Sequence, residues 1–222
     1  AVTLEEAREI VVMAQEKNLM AGCAPDTVLG SGVQTCRKLI EDGWIGTPIG
    51  AKFNSIYYGP ETWHPNPSFL YHKGAGPMID IGPYYISCLA YLLGPIRRVA
   101  SFSKITYPKR QITSAAQYGK IIDVEVPTYI SGILEFQSGV IGSMTITFDG
   151  NSRSDLDIEI IGTEGTLSVP NPDTFGGENG TIQYKRVNRS INSEEDAVPW
   201  SKLPNLFCYN ENSRGLGVAD MA

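Results

Sequence analysis

A strict two-residue alternation in the second half of the chain narrows its fold more than any other feature. In "DLDIEIIGTEGTLSV", residues 155–169, Leu156, Ile158 and Ile160 alternate with Asp155, Asp157 and Glu159. Successive side chains on a strand point to opposite faces, so this segment reads as a strand with one buried and one wet face. The "GTEG" turn then leads into a second short strand. "TYISGILEF" (128–136) and "VIGSMTITF" (140–148) flank Ser138-Gly139 and read as a hairpin. "RRVASFSKITY" (97–107) and "TIQYKRV" (181–187) read as further strands. Together they predict a mostly antiparallel sheet.

The first part of the chain has helical periodicity instead. Thr3, followed by Glu5 and Glu6, reads as an N-cap with an acidic first turn. Ala7, Ile10, Val11 and Ala14 give a stripe that ends near Asn18. "LMAGCA" (19–24) reads as a short apolar strand, broken by Pro25 and Asp26. A second helix is predicted over 30–43, with Val33, Cys36, Arg37 and Ile40 in register. "GWIGTPIG" is a turn cluster, and "AKFNSIYYG" (51–59) alternates as a strand. Residues 59–77 are rich in Pro, Gly, Asn and His, and a loop of that length is usually functional or disordered. A third helix is predicted over 78–93, closed by Gly94-Pro95. The fold class is therefore α+β: a large, mostly antiparallel open β-sheet backed by the 30–43 and 78–93 helices. The Ser-, Asn- and Glu-rich tract 188–198 reads as a solvated loop.

Composition removes several function classes. The hydrophobic fraction is 42%, the charged fraction 19% and the net charge −6, as in a soluble globular protein. No basic stripe invites nucleic acid. The longest apolar run, roughly 84–93, is about half what a bilayer requires, so no membrane partner is expected. No signal peptide opens the sequence. Cys23, Cys36, Cys88 and Cys208 are far apart and form no CxxC, which predicts free, mostly buried thiols in a reducing cytoplasm. His64 and His72 lack a third ligand, so no metal site is expected.

Chemistry concentrates in "KGAGPMIDIGPYYIS" (73–87). On one continuous helix, Asp80 and Tyr84 would share a face, one turn apart. A carboxylate beside a phenol suits proton transfer, although a phenol ordinarily titrates near about pH 10 and needs a cation nearby to act near neutrality.

Several runs carry a family resemblance. They are "APDTVLGSGVQTCRKLIEDGWIGTPIGA", "GPETWHPNPSFLYHKGAGPMIDIGPYYISCLAYLLGPIRRV", "IEIIGTEGTLSVP" and "ENSRGLGVADMA". The chain resembles the Gfo/Idh/MocA family of glucose–fructose oxidoreductases and inositol dehydrogenases over essentially its whole length. The resemblance implies a Rossmann domain followed by an α/β domain with an open sheet. It also implies hydride transfer between NAD or NADP and a sugar, polyol or related alcohol. The family's catalytic set is a lysine in a Glu-Lys-Pro motif plus the aspartate and histidine of the glycine-rich motif. Asp80 matches the aspartate. Tyr84 stands at the histidine position, where glucose–fructose oxidoreductases and dihydrodiol dehydrogenases also have tyrosine.

No GxGxxG follows a strand in this chain, and "EEAREIVVMAQEKN" resembles the helix just after the Glu-Lys-Pro motif. The expectation is a fragment: residues 1–26 a remnant of the dinucleotide-binding domain, residues 27–222 the substrate-binding and oligomerisation domain. The nicotinamide would lie against Gly74, Gly76 and Pro77 in the full-length protein, with no cofactor expected on this fragment alone. His64 and Trp63 would line the substrate, although Trp63 equally suits plain packing. Asp26 resembles the crossing between domains and equally suits a turn or cap. The sheet face with Tyr129, Ser131, Ile133, Ile141, Thr145 and Thr147 is expected to pair in a homo-oligomer. The alternative on this scaffold is a dinucleotide- or sugar-sensing regulator, or an oligomerisation module.

Overall fold

A computed structural model describes residues 3–151, 156–175, 181–187, 198–211 and 213–222. The chain begins with α1 (Leu4–Glu16) and α2 (Ser31–Glu41), followed by β1 (Pro48–Ile56). Two helices, α3 (Pro77–Asp80) and α4 (Gly82–Leu93), lead into β2 (Ile96–Lys104), β3 (Lys109–Gln111) and β4 (Ile121–Asp123). Then come β5 (Tyr129–Phe136), β6 (Ile141–Thr147), β7 (Leu156–Gly162) and β8 (Gly165–Ser168). β9 (Ile182–Arg186), β10 (Ser201–Leu203) and α5 (Leu216–Met221) complete the order.

Eight strands form one sheet in the order β10-β9-β8-β7-β1-β6-β5-β2. Every pairing in it is antiparallel except β1 with β6. β1 lies at the centre because both its neighbours offer apolar partners on one face. Phe53 stands opposite Met144 on β6 and Ile158 on β7, and Ala51 opposite Gly142 and Ile160. Against this face pack Val33, Cys36 and Leu39 of α2 and Tyr85, Cys88, Leu89 and Leu92 of α4. The three- and four-residue spacings put each set on one side of its helix. Each fully buried Leu or Phe adds about 1.5–3 kcal/mol of favourable transfer.

A second, smaller core lies beyond the end of β1. Leu70, Tyr71, Ile112, Ile122, Val124 and Phe148 enclose it, and the β3–β4 hairpin covers it. At its centre is Arg110, whose Nη1 donates to Glu61 Oε1 at 2.5 Å and to the Phe148 carbonyl at 3.1 Å. Its Nη2 pairs with Asp149, and the Tyr71 and Tyr107 rings flank the guanidinium, each 5.3 Å from its carbon. Tyr71 donates to Glu61, and Thr128 to Asp149 at 2.7 Å.

The α+β class, both backing helices, the 128–148 hairpin and the alternating strand all follow the sequence pattern. Four expectations are corrected. The 78–93 helix is two helices, because Pro83 has no N–H to give the Ile79 carbonyl, and Tyr84 N bonds instead to the Ile81 carbonyl at 3.2 Å. Residues 19–24 form no strand: they are exposed and have no partner strand among the described residues, and a lone strand is not stable. Thr147 is fully buried rather than part of the open face, and its hydroxyl accepts from Asp149 N at 2.9 Å. Cys23 and Cys208 are exposed, so only Cys36 and Cys88 of the free thiols are buried.

The short strands β3, β4 and β10 had no signal strong enough to predict them. α1 has the expected Thr3 cap and acidic first turn, completed by a capping box with Glu6, but none of its residues is buried. No helix among the described residues is long and apolar enough to cross a membrane. The tract 188–198 falls almost wholly outside the described residues.

Candidate active site

The site is built where α3 begins. Gly76 takes φ 92°, a left-handed value that favours glycine, and a Cβ there would come 3.0 Å from Val126 Cγ2. Its carbonyl accepts from Asp80 N at 2.9 Å, so the turn sets Asp80 at the end of the first helical turn. Gly76 and Pro77 are themselves buried, whereas Gly74 and Ala75 keep part of their surface. The stretch at 74–75 is thus partly exposed and poor in side chains.

Asp80 is half-buried. Burial raises its carboxyl above the usual range, and the negative charge of Asp173 adds to this, while His64 works the other way. Asp173 comes from the turn Pro172–Thr174 after β8, where its N–H bonds the Asn171 side chain at 2.9 Å. The same Asn171 oxygen accepts from the Tyr85 hydroxyl at 3.0 Å, and Tyr85 stacks on Phe53 at 4.6 Å. Burial, and next the charge of Asp173, push the Tyr85 phenol far up. Tyr57, just past β1, is likewise raised, by burial first and Asp80 second. Both phenols stay protonated at neutral pH and can donate.

Tyr84, in the first turn of α4, lies beside Arg214, whose guanidinium carbon is 5.9 Å from the ring centre. Arg214 in turn pairs with Asp173 at 2.8 Å. His64 stands between two rings, 5.4 Å from Trp63 and 5.6 Å from Phe69, both edge-on. Its Nδ1 accepts from Asn66 N at 2.9 Å, so a neutral His64 holds its proton on Nε2. Trp63 is exposed.

Of the expected residues, His64 lies within electrostatic reach of Asp80. Tyr84 is linked to Asp80 through Arg214 and Asp173 rather than by the shared face of one continuous helix, which the α3–α4 break removes. The Asp26 carboxylate accepts from Gly217 N at 2.7 Å, in the first turn of α5. Sequence reasoning missed Tyr57, Asn171, Asp173 and Arg214. A turn signal in "NPDT" and an Arg before Gly215 were present, but neither marks chemistry. His72 pairs with Glu125 at 3.2 Å. Among the described residues, no group of three or more His, Cys, Asp or Glu is placed to hold a metal ion.

Chemically, the arrangement offers a phenol beside a cation, a carboxyl that burial raises, an oriented imidazole and the protonated Tyr57 phenol. It suits a neutral ligand with several hydroxyls, one of which exchanges a proton.

Residues 33–168 match the family model of the GFO/IDH/MocA C-terminal domain. A 1,5-anhydro-D-fructose reductase from Ensifer adhaerens is 30% identical over 172 residues, covering 75% of this chain and 46% of the relative. Levoglucosan dehydrogenase in complex with NADH and L-sorbose superposes with a TM-score of 0.72 at 22% identity, over 100% of this chain and 58% of that one. The super-repressor mutant of Gal80p from Saccharomyces cerevisiae superposes with a TM-score of 0.76 at 17% identity, over 100% of this chain and 56% of that one. The chain spans about half the length of the relatives it matches.

Proposed function

Because the chain belongs to the Gfo/Idh/MocA family, we propose that it is the substrate-binding and catalytic portion of an NAD(P)-dependent oxidoreductase acting on a sugar, polyol or related alcohol. The observation that supports this reading is that Asp173 stands between Asp80 and the Arg214 guanidinium that lies against Tyr84, beside a side-chain-poor turn. The similarity to a sugar reductase from Ensifer adhaerens supports the same substrate class.

Nicotinamide, when bound, supplies the hydride chemistry at the substrate carbon. The residues of this chain handle the proton. In the reducing direction Tyr84 gives its hydroxyl proton to the substrate carbonyl oxygen; in the oxidising direction its phenolate takes the proton from the substrate hydroxyl. Asp80 orients the substrate or the phenol, and the His64 Nε2–H and Trp63 line the outer side.

The test is turnover in the full-length protein with NAD(P)H and a panel of ketoses, anhydrosugars and polyols. Tyr84→Phe is expected to lower kcat by about 10²–10⁴-fold, the usual worth of one general acid–base group, with cofactor affinity unchanged. Unchanged kcat at saturating substrate removes the phenol from the mechanism. The alternative on the same scaffold is a dinucleotide- or sugar-sensing regulator. Tight binding of sugar and dinucleotide without turnover would favour that reading.

A further inference from the structure

Proton exchange at Tyr84 leaves a charge to be held. When the phenol gives up its proton, negative charge stays on its oxygen, in a site that already holds Asp80 and Asp173. A preorganised donor or cation aimed at the developing charge is the usual means of lowering such a barrier. Arg214 brings a cation against the Tyr84 ring. Its guanidinium lies 5.9 Å from the Tyr84 ring centre and 5.8 Å from that of Phe175, which is fully buried.

Two bonds fix the guanidinium's orientation. Nη2 donates to Asp173 Oδ1 at 2.8 Å and to the Asp173 carbonyl at 3.1 Å. Both come from one nitrogen of a group with five N–H donors, which leaves donors for the phenol. Arg214 is held above the ordinary guanidinium range, chiefly by its bond to Asp173, with Tyr84 contributing and desolvation opposing. The backbone is fixed as well. Gly215 follows with φ 101°, and the bond from Gly217 N to Asp26 anchors the helix behind it. The carboxylate of Asp26, distant in sequence, thereby holds the arm that carries the guanidinium.

We propose that Arg214 is a positioning residue for the reaction: Asp173 aims its guanidinium so that it steadies the Tyr84 phenol and offsets the negative charge left on the phenol oxygen. This rests on the reading of Tyr84 as the proton-exchanging group. In the reducing direction, the Tyr84 O–H bond breaks and its proton forms the O–H bond of the product alcohol. The electron pair remains on the phenol oxygen beside the guanidinium, and water returns a proton afterwards. In the oxidising direction the same phenolate accepts the substrate proton. The Arg214 side chain is 50% exposed, so solvent screens part of the effect and allows that return.

A double-mutant cycle in the full-length protein tests this, with kcat and KM measured under saturating NADH. Arg214→Gln is expected to lower kcat about tenfold or more with little change in KM. In a Tyr84→Phe background the same change is expected to cost less than about threefold. Arg214→Lys keeps the charge but loses the planar fork, so it falls between Gln and wild type. Melting temperatures of all variants, Lys included, check that the fold is intact. Equal losses in the two backgrounds, or a silent Arg214→Gln, overturn the inference while leaving the role of Tyr84 standing. A silent Tyr84→Phe overturns both.

Discussion

Asp80 faces opposed demands from folding and from chemistry. Burial and the charge of Asp173 raise its carboxyl, so the folded chain binds this proton more tightly than the unfolded chain does. The sign follows: this group's contribution to stability falls as pH rises through the ordinary carboxylate range near about pH 4, and the penalty is complete above the folded value. Asp80→Asn removes the ionisation while keeping the shape. It is expected to melt at a higher temperature than wild type at neutral pH, with the gap closing toward about pH 3, while turnover falls. Thermal melts across that range check it, and a variant less stable than wild type at neutral pH contradicts it. Asp80 and Tyr84 were legible in the sequence because both lie in one short motif whose spacing is local. Asp173 and Arg214 were not, since nothing near them marks chemistry and only the sheet's connections bring them to α4.

Among the elements, local signals succeeded where a partner was certain and failed where one was required. The 128–148 hairpin and the alternating β7 were legible because the pattern itself names the buried face. The 19–24 segment has strand composition but no edge to join among the described residues. The α3–α4 break was written in Pro83, yet the apolar run around it gave the appearance of one helix. The β3–β4 hairpin was invisible for another reason: its strands are three residues long, and a buried arginine takes an inward place beside Ile122. Arg110 has two carboxylates in its shell, and its side chain, like that of Glu61, is under a tenth exposed. Removing one partner from such a group strands the others. Arg110→Met is therefore expected to destabilise the fold by about 3–5 kcal/mol, read by denaturant unfolding. A loss below about 1 kcal/mol would match a surface ion pair and refute the burial argument.

For the whole molecule, the open side of the sheet decides how copies of it would meet. Phe102 is 90% exposed, and Tyr129, Ile133, Ile141 and Ile161 lie on the same side. The other half of that side is polar, with Lys52 paired to Glu159 at 3.3 Å across β1 and β7. A surface of this kind suits a second copy of the chain, and we expect self-association through it. Sedimentation is expected to show a dimer or larger species at tens of micromolar, and Ile133→Lys to shift it toward monomer without lowering the melting temperature. A wild-type monomer at that concentration excludes the interface. The bond between Asp26 and Gly217, 191 residues apart, has a consequence of another kind. A ribosome delivers the chain in order, at about 5–20 residues per second, so Asp26 emerges on the order of ten seconds or more before its partner. Late in that interval, once β8 has emerged, a nascent chain can hold its central strands and the Asp80 corner before Arg214 arrives. The arm that carries Arg214 thus docks among the last parts of the chain, onto a sheet whose strands have already been delivered.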